Sequence, residues 1–156
     1  MTTDLVPTLE FSPAKAHLSD VVTGVFHQHQ PTLVSRHHGK EQVILVRVDD
    51  LLAMLPSDPF DVDVVYDPSS VAVAVPDMGI MGVGDTLDLA VEDLLVEMRA
   101  YAKRFFADSL RYFVAGQGAR AGRLLAFALA SDDAQRRMVR GPEEPHVEVR
   151  PAHLSA

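Results

Sequence analysis

One segment constrains the fold more than any other: GDTLDLAVEDLLVEMRAYAKRFF, residues 84–106. Leu87, Val91, Leu94, Leu95, Met98, Ala102 and Phe105 fall three or four apart, which places them on one face of an α-helix. Asp85 is the expected N-cap, with Asp88 three residues later. Asp88, Glu92 and Asp93 crowd the start, and Arg99, Lys103 and Arg104 the end. The helix dipole favours that order of charge. A long helix with one apolar stripe must lay the stripe on another layer of structure.

The chain on either side supplies shorter elements. Residues 11–28 read as a helix, with Ser12 as N-cap and Pro13 at the first helical position, where its missing N–H is harmless. Ala14, Leu18, Val21, Val22 and Val25 form its apolar face, and Pro31 ends the pattern. TLVSR and EQVILVRV are β-rich and flank His37-His38-Gly39. That is a hairpin signal, with Gly39 suited to positive φ. DDLLAML follows as a short helix stopped by Pro56, and PSDPFD has the composition of a linker. VDVVYD and VAVAV read as a second hairpin across PSS, after which Pro76, Gly79, Gly82 and Gly84 break the pattern. SLRYFVAG reads as helical. RLLAFALA fits a strand or a helix equally, because short apolar runs are ambiguous. SDDAQRRMVRG carries a helix cap at Ser131 and a stop at Gly141, and the Pro-rich tail beyond it reads as frayed. The expected fold is α+β, in three stretches: residues 1–56, 57–115 and 116–156.

Composition narrows the chemistry. There is no Cys, which excludes disulfides, thiolate zinc sites and a Cys nucleophile. No apolar run approaches the ~20 residues that span a bilayer, and no secretion signal is read at the N-terminus, so the cytoplasm is the expected location. The formal net charge of −8 is unevenly spread. Residues 57–115 hold 11 acids against 4 bases, whereas residues 1–56 hold 6 against 4, with 5 His besides. The acidic stretch repels nucleic acid and suits a basic partner.

Candidate catalytic and metal sites are weak. Asp61, Asp63, Asp67 and Asp77 have the residue type of a two-metal nuclease centre, but Asp clusters before a turn mostly mark strand ends and Asx turns. His27 and His29 fall on different helix faces, and His37 and His38 lie on opposite sides of a strand or within the turn, so neither pair converges as metal ligands must. No P-loop, nucleotide-binding glycine fingerprint or Ser-His-Asp arrangement occurs. The expectation is no catalytic residue, no metal, no cofactor and no enzyme.

The order of elements over residues 8–55 resembles the Phd/YefM family of antitoxins, through FSPAKAHLSDVV and PTLVSRHHGKEQVILVRVDDLLAML. Arg47-Val48 and the additional His in the turn depart from the pattern. The resemblance implies a homodimer or higher oligomer, built on a small sheet-plus-helices module, that binds operator DNA and represses its own operon. It assigns DNA contacts to Lys15, at the basic position of the first helix, and to Arg36, at the end of the second strand, with Lys40 a weaker phosphate contact. Arg suits guanine in the major groove, and a helix start with a Lys beside it suits phosphate.

Residues 62–105 resemble the HicB family of antitoxins, through VPDMGI and GDTLDLAVEDLLVEM. VAVAV is plainer than the aromatic second strand usual there. This resemblance implies a partial RNase H-like α+β module that covers a small basic toxin, a ribonuclease. The acids Asp88, Glu92, Asp93 and Glu97 become candidate toxin contacts. The resulting expectation is an antitoxin that neutralises a toxin by direct binding and binds operator DNA. The alternative is a dimeric protein-interaction module that neutralises a partner without binding DNA.

Overall fold

The computed structural model describes residues 5–140. The expected frayed tail and Gly141 stop lie outside them. The chain divides into two compact units, meeting between Met54 and Leu55.

The first unit begins with strand β1 (Thr8–Glu10), helices α1 (Phe11–Ala16) and α2 (Leu18–Gln28), and continues through strands β2 (Thr32–Arg36) and β3 (Glu41–Leu45) to helix α3 (Val48–Met54). The sheet order is β1-β2-β3, with β1 parallel and β3 antiparallel to β2. The single helix expected over residues 11–28 is two. His17 leaves helical angles, at φ −122° and ψ 32°. The hydrogen-bond ladder nevertheless crosses the break, since His17 N–H donates to the Pro13 carbonyl and Val21 N–H to that of His17. The apolar spacing therefore survives and reads as one helix. Ser12 is not the cap. Strand β1 runs straight into α1, so extended Glu10 holds that position and Ser12 and Pro13 lie inside the first turn.

The second unit has strands β4 (Asp63–Asp67), β5 (Ser70–Val75) and β6 (Ile80–Gly84), then helices α4 (Leu87–Ala107), α5 (Ser109–Val114), α6 (Ala121–Leu129) and α7 (Asp132–Arg140). The sheet is antiparallel throughout, in the order β4-β5-β6. The β-period of two turns Val64, Val71, Val73, Val75 and Ile80 inward, where they are buried with Ala90, Val91, Leu94, Leu95 and Met98 of α4. Phe127 of α6 and Val139 of α7 complete this core. Helices α6 and α7 are thus integral to the second unit, although the sequence reading set residues 116–156 apart. Phe60, just before β4, donates its N–H to the carbonyl of Met138 at 2.7 Å and packs edge-on against Phe127.

Two further details differ from expectation, and one open reading is decided. The cap of α4 is Thr86, whose hydroxyl accepts from Leu89 N–H at 3.3 Å, not Asp85. RLLAFALA lies in a helix, α6, which buries Leu124, Ala126 and Phe127. The glycines at 82 and 84 do not end the sheet; they lie in its third strand. A Cβ at Gly82 would overlap the Leu94 backbone nitrogen and the Ala90 carbonyl oxygen, and one at Gly84 would overlap the Ala90 nitrogen. These glycines let α4 lie directly on β6.

Candidate functional site

Two side-chain groups are the candidates for function, one in each unit. In the first, β2 and β3 pair as far as Arg36 opposite Glu41. Between them His37, His38 and Gly39 all take positive φ, at 53°, 56° and 82°. Left-handed backbone is easiest for glycine and is more common for His than for most side chains, so both histidines serve the turn. Lys40 N–H closes it on the His37 carbonyl.

Arg36 emerges at the base of this turn. Its Nε donates to the Glu41 carboxylate at 2.7 Å, and its guanidinium lies 5.6 Å from the centre of the Phe11 ring. Phe11 opens α1, and Lys15 is one helical turn further along the same side of it. Lys15 stands in the last turn of α1, not at a helix start. Lys15 and Arg36 therefore share one side of the unit, and Lys40 stands on the adjoining turn. Lys15 and Lys40 are exposed and form no ion pair among the described residues.

Arg47, which looked like a departure from the antitoxin pattern, ties the end of α2 to the start of α3. Its guanidinium stacks on Phe26 at 4.5 Å, donates to His29 Nε2 at 2.9 Å and pairs with Asp49 at 3.2 Å. His29 Nδ1 lies 3.0 Å from Asp50. An Arg donates only, so His29 Nε2 is the acceptor and Nδ1 carries the proton toward Asp50. Sequence spacing gives no sign of this junction, because it joins residues 18 and 21 positions apart.

In the second unit the four acids proposed on α4 do not form one free group. Asp88 pairs with Arg140 at 3.2 Å, and Glu92 with Arg136 at 2.7 Å. Lower down, Arg99 pairs with Asp132 at 3.1 Å. Helices α4 and α7 thus meet in an antiparallel ladder of three ion pairs. Asp93 accepts from the backbone N–H of Val83 at 2.9 Å. Only Glu97 of the four has no partner among the described residues. The hydrogen bond from Arg136 holds the Glu92 carboxyl below the usual carboxylate range and raises Arg136 above its own. Beneath the ladder, buried Gln135 accepts from Arg99 Nε at 2.8 Å and donates to the Phe127 carbonyl at 2.9 Å. The α7 arginines were not singled out in sequence. Asp132-Asp133 at one end of the segment and Arg136, Arg137 and Arg140 at the other were the visible signal of a charged helix face.

Asp61, Asp63, Asp67 and Asp77 spread from the approach to β4, along that strand, to the 3-10 turn Pro76–Met78. Among the described residues no three His, Asp or Glu side chains come together as a metal site. No helix among the described residues is long and apolar enough to cross a membrane.

Comparison with known proteins gives the class. The family model of PHD-like antitoxins, described as the antitoxin of a RelE/RelB toxin–antitoxin system, matches residues 5–139, and the chain belongs to that family. In fold it is similar to a crystal structure from Syntrophomonas wolfei subsp. wolfei, described as an antitoxin part of a toxin/antitoxin system. The TM-score is 0.73 at 13% identity, over 84% of this chain and 94% of the other. No curated protein matches the chain.

Proposed function

We propose that this antitoxin works through a division of labour: the first unit is a Phd/YefM-type module that dimerises and binds operator DNA, and the second is a HicB-like module that binds and blocks a small basic toxin, a ribonuclease. The observation that carries the reading is that the first unit joins exposed apolar side chains to a basic side, whereas the second unit is acidic. The first presents Leu18, Val22 and Phe26 on α2 and Val43 and Ile44 on β3 to solvent. Apolar side chains in that number favour a second copy as cover. The same unit carries Lys15, Arg36 and Lys40 on one side and its turn, and a two-fold dimer would present each twice to a palindromic operator. The second unit is acidic, which suits a protein that itself handles RNA. Its three-stranded antiparallel sheet followed by a long helix supports the HicB-like assignment.

One observation favours a second reading, a dimeric protein-interaction module that binds no DNA. Arg36 is already paired with Glu41, so reaching a base edge requires giving up that partner. A gel shift with the DNA just upstream of the chain's own gene separates the two. Retardation at low salt that weakens steeply as salt rises is the expected result. No retardation, with or without toxin, would sink the repressor reading and leave the second.

A further inference from the structure

We propose that the outer face of the β4-β5-β6 sheet is the surface on which the second unit receives a cationic, amphipathic segment of its toxin; this rests on the toxin-neutralising reading above. The register defines the face. Asp63 lies opposite Ala74 and Ala74 opposite Met81; Val65 lies opposite Ala72 and Ala72 opposite Val83; Asp67 lies opposite Ser70. Their sequence neighbours on β5 are the valines that point inward to α4, so these residues point away from it.

The central strand carries only small side chains there: Ser70, Ala72 and Ala74. The edge strands carry larger ones, and these are open to solvent: Val65 is 44% exposed, Met81 55% and Val83 45%. Small residues flanked by larger ones make a trough along β5. Its walls are two strand spacings apart, about 10 Å, which admits the apolar ridge of a helix about 10 Å across.

Charge selects the occupant. Asp63 and Asp67 flank Val65 on the β4 wall, and neither makes an ion pair among the described residues. No Lys or Arg belongs to this face. An apolar floor with an acidic wall fits a ridge of aliphatic side chains bordered by Lys or Arg. It fits a second copy of this chain poorly, because a two-fold contact of the face with itself would bury four carboxylates without a cation. The α4 acids compete weakly as the docking surface, since Asp88 and Glu92 are held by Arg140 and Arg136. Addition of a strand at the β6 edge is obstructed where Asp93 holds the Val83 N–H.

The probe is a synthetic helical peptide with leucines on one face and lysines on the other; the same pattern with glutamates is the control. Binding to the full chain is read by fluorescence anisotropy. The lysine peptide should bind more tightly than the glutamate peptide, and Ala72→Lys should weaken it about tenfold or more, as for a charge placed in the centre of an interface. The paired change Asp63→Asn/Asp67→Asn should weaken it less and flatten its salt dependence. Asp108→Asn, just beyond α4, should leave binding unchanged. Equal binding of the two peptides overturns the inference, as does full binding by Ala72→Lys. If Ala72→Lys fails to fold, the paired Asn variant decides: unchanged affinity overturns it. Loss of self-association in Ala72→Lys with peptide binding retained makes the face a contact between copies and also overturns it. In parallel, the chain is co-expressed with the protein encoded beside it in a growth-arrest assay. Failure of the wild type to restore growth sinks the neutralising reading itself, and this inference with it. Rescue by the wild type and equally by Ala72→Lys removes only the sheet face.

Discussion

The two units solve the burial problem differently. In the second, α4 lies on the sheet and α6 and α7 close over it, so that Leu94, Leu95, Met98 and Phe127 are fully enclosed. In the first, the buried set is small: Ala14, Val25, Val34 and the polar Thr32 and Ser35. Its larger apolar side chains, Leu18, Phe26, Val43 and Ile44 among them, stand half or more exposed. Hydrophobic burial is the main favourable contribution to folding, and a unit of about 50 residues is near the lower limit for independent stability. The difference teaches that the second unit encloses a large apolar core of its own, whereas the first buries little, which is what the proposed association would add to.

That contrast can be broken at its strongest point. Phe127→Ala removes an enclosed ring and should lower the stability of the second unit by about 3–5 kcal/mol, measured by urea unfolding. A loss as small as that of Phe26→Ala, in the first unit, would erase the contrast. Next, Gly82→Ala should cost about 1–3 kcal/mol, since the new methyl group meets backbone of α4 and not a movable side chain; thermal unfolding reads it. In the first unit, Val22→Asp should change the stability of the isolated chain by no more than about 0.5 kcal/mol. It should nevertheless abolish any dependence of Tm on protein concentration and shift the mass seen by light scattering. On the proposed operator-binding reading, Arg36→Ala should weaken retardation and reduce its salt slope by about 1, with the mass seen by light scattering unchanged.

The smallest effect concerns Glu92. Its pKa is lowered in the folded chain by the hydrogen bond from Arg136. The stability it contributes is therefore present above the ordinary Glu value and lost as pH falls through the lowered one. Wild type and Glu92→Gln should differ slightly in Tm near neutrality and converge on the acid side of the ordinary carboxylate range. Both groups are open to solvent, so salt should shrink the difference as well.

Much of this was legible in the sequence, for reasons that also explain the misses. The face of α4 could be read because one helix period repeats over its whole length; of the seven residues assigned to it, only Leu87 is less than buried. The two hairpins were legible because their turns carry His-His-Gly and Pro-Ser. Strand β1 was not legible: it is three residues long and exists by parallel pairing with β2. Strand β6 was read as a break because Gly82 and Gly84 have poor intrinsic β preference, and the demand for room beneath α4 overrode that preference. For the α4 acids, residue type and exposure were visible, but their partners on α7 were not: 44 positions separate Glu92 from Arg136, and 52 separate Asp88 from Arg140. Pairing over such distances is a property of the fold, not of local pattern.

Asp93 does more than accept one hydrogen bond. A sheet of three strands has two edges, and every unpaired N–H along an edge invites the strand of another molecule. By holding the Val83 N–H, Asp93 spoils the template on β6 and leaves β4 as the more receptive edge. Removing that carboxylate would expose a second seam for runaway stacking. The first sign of an Asp93→Ala variant would then be insoluble protein during expression, before any change in what the soluble fraction binds.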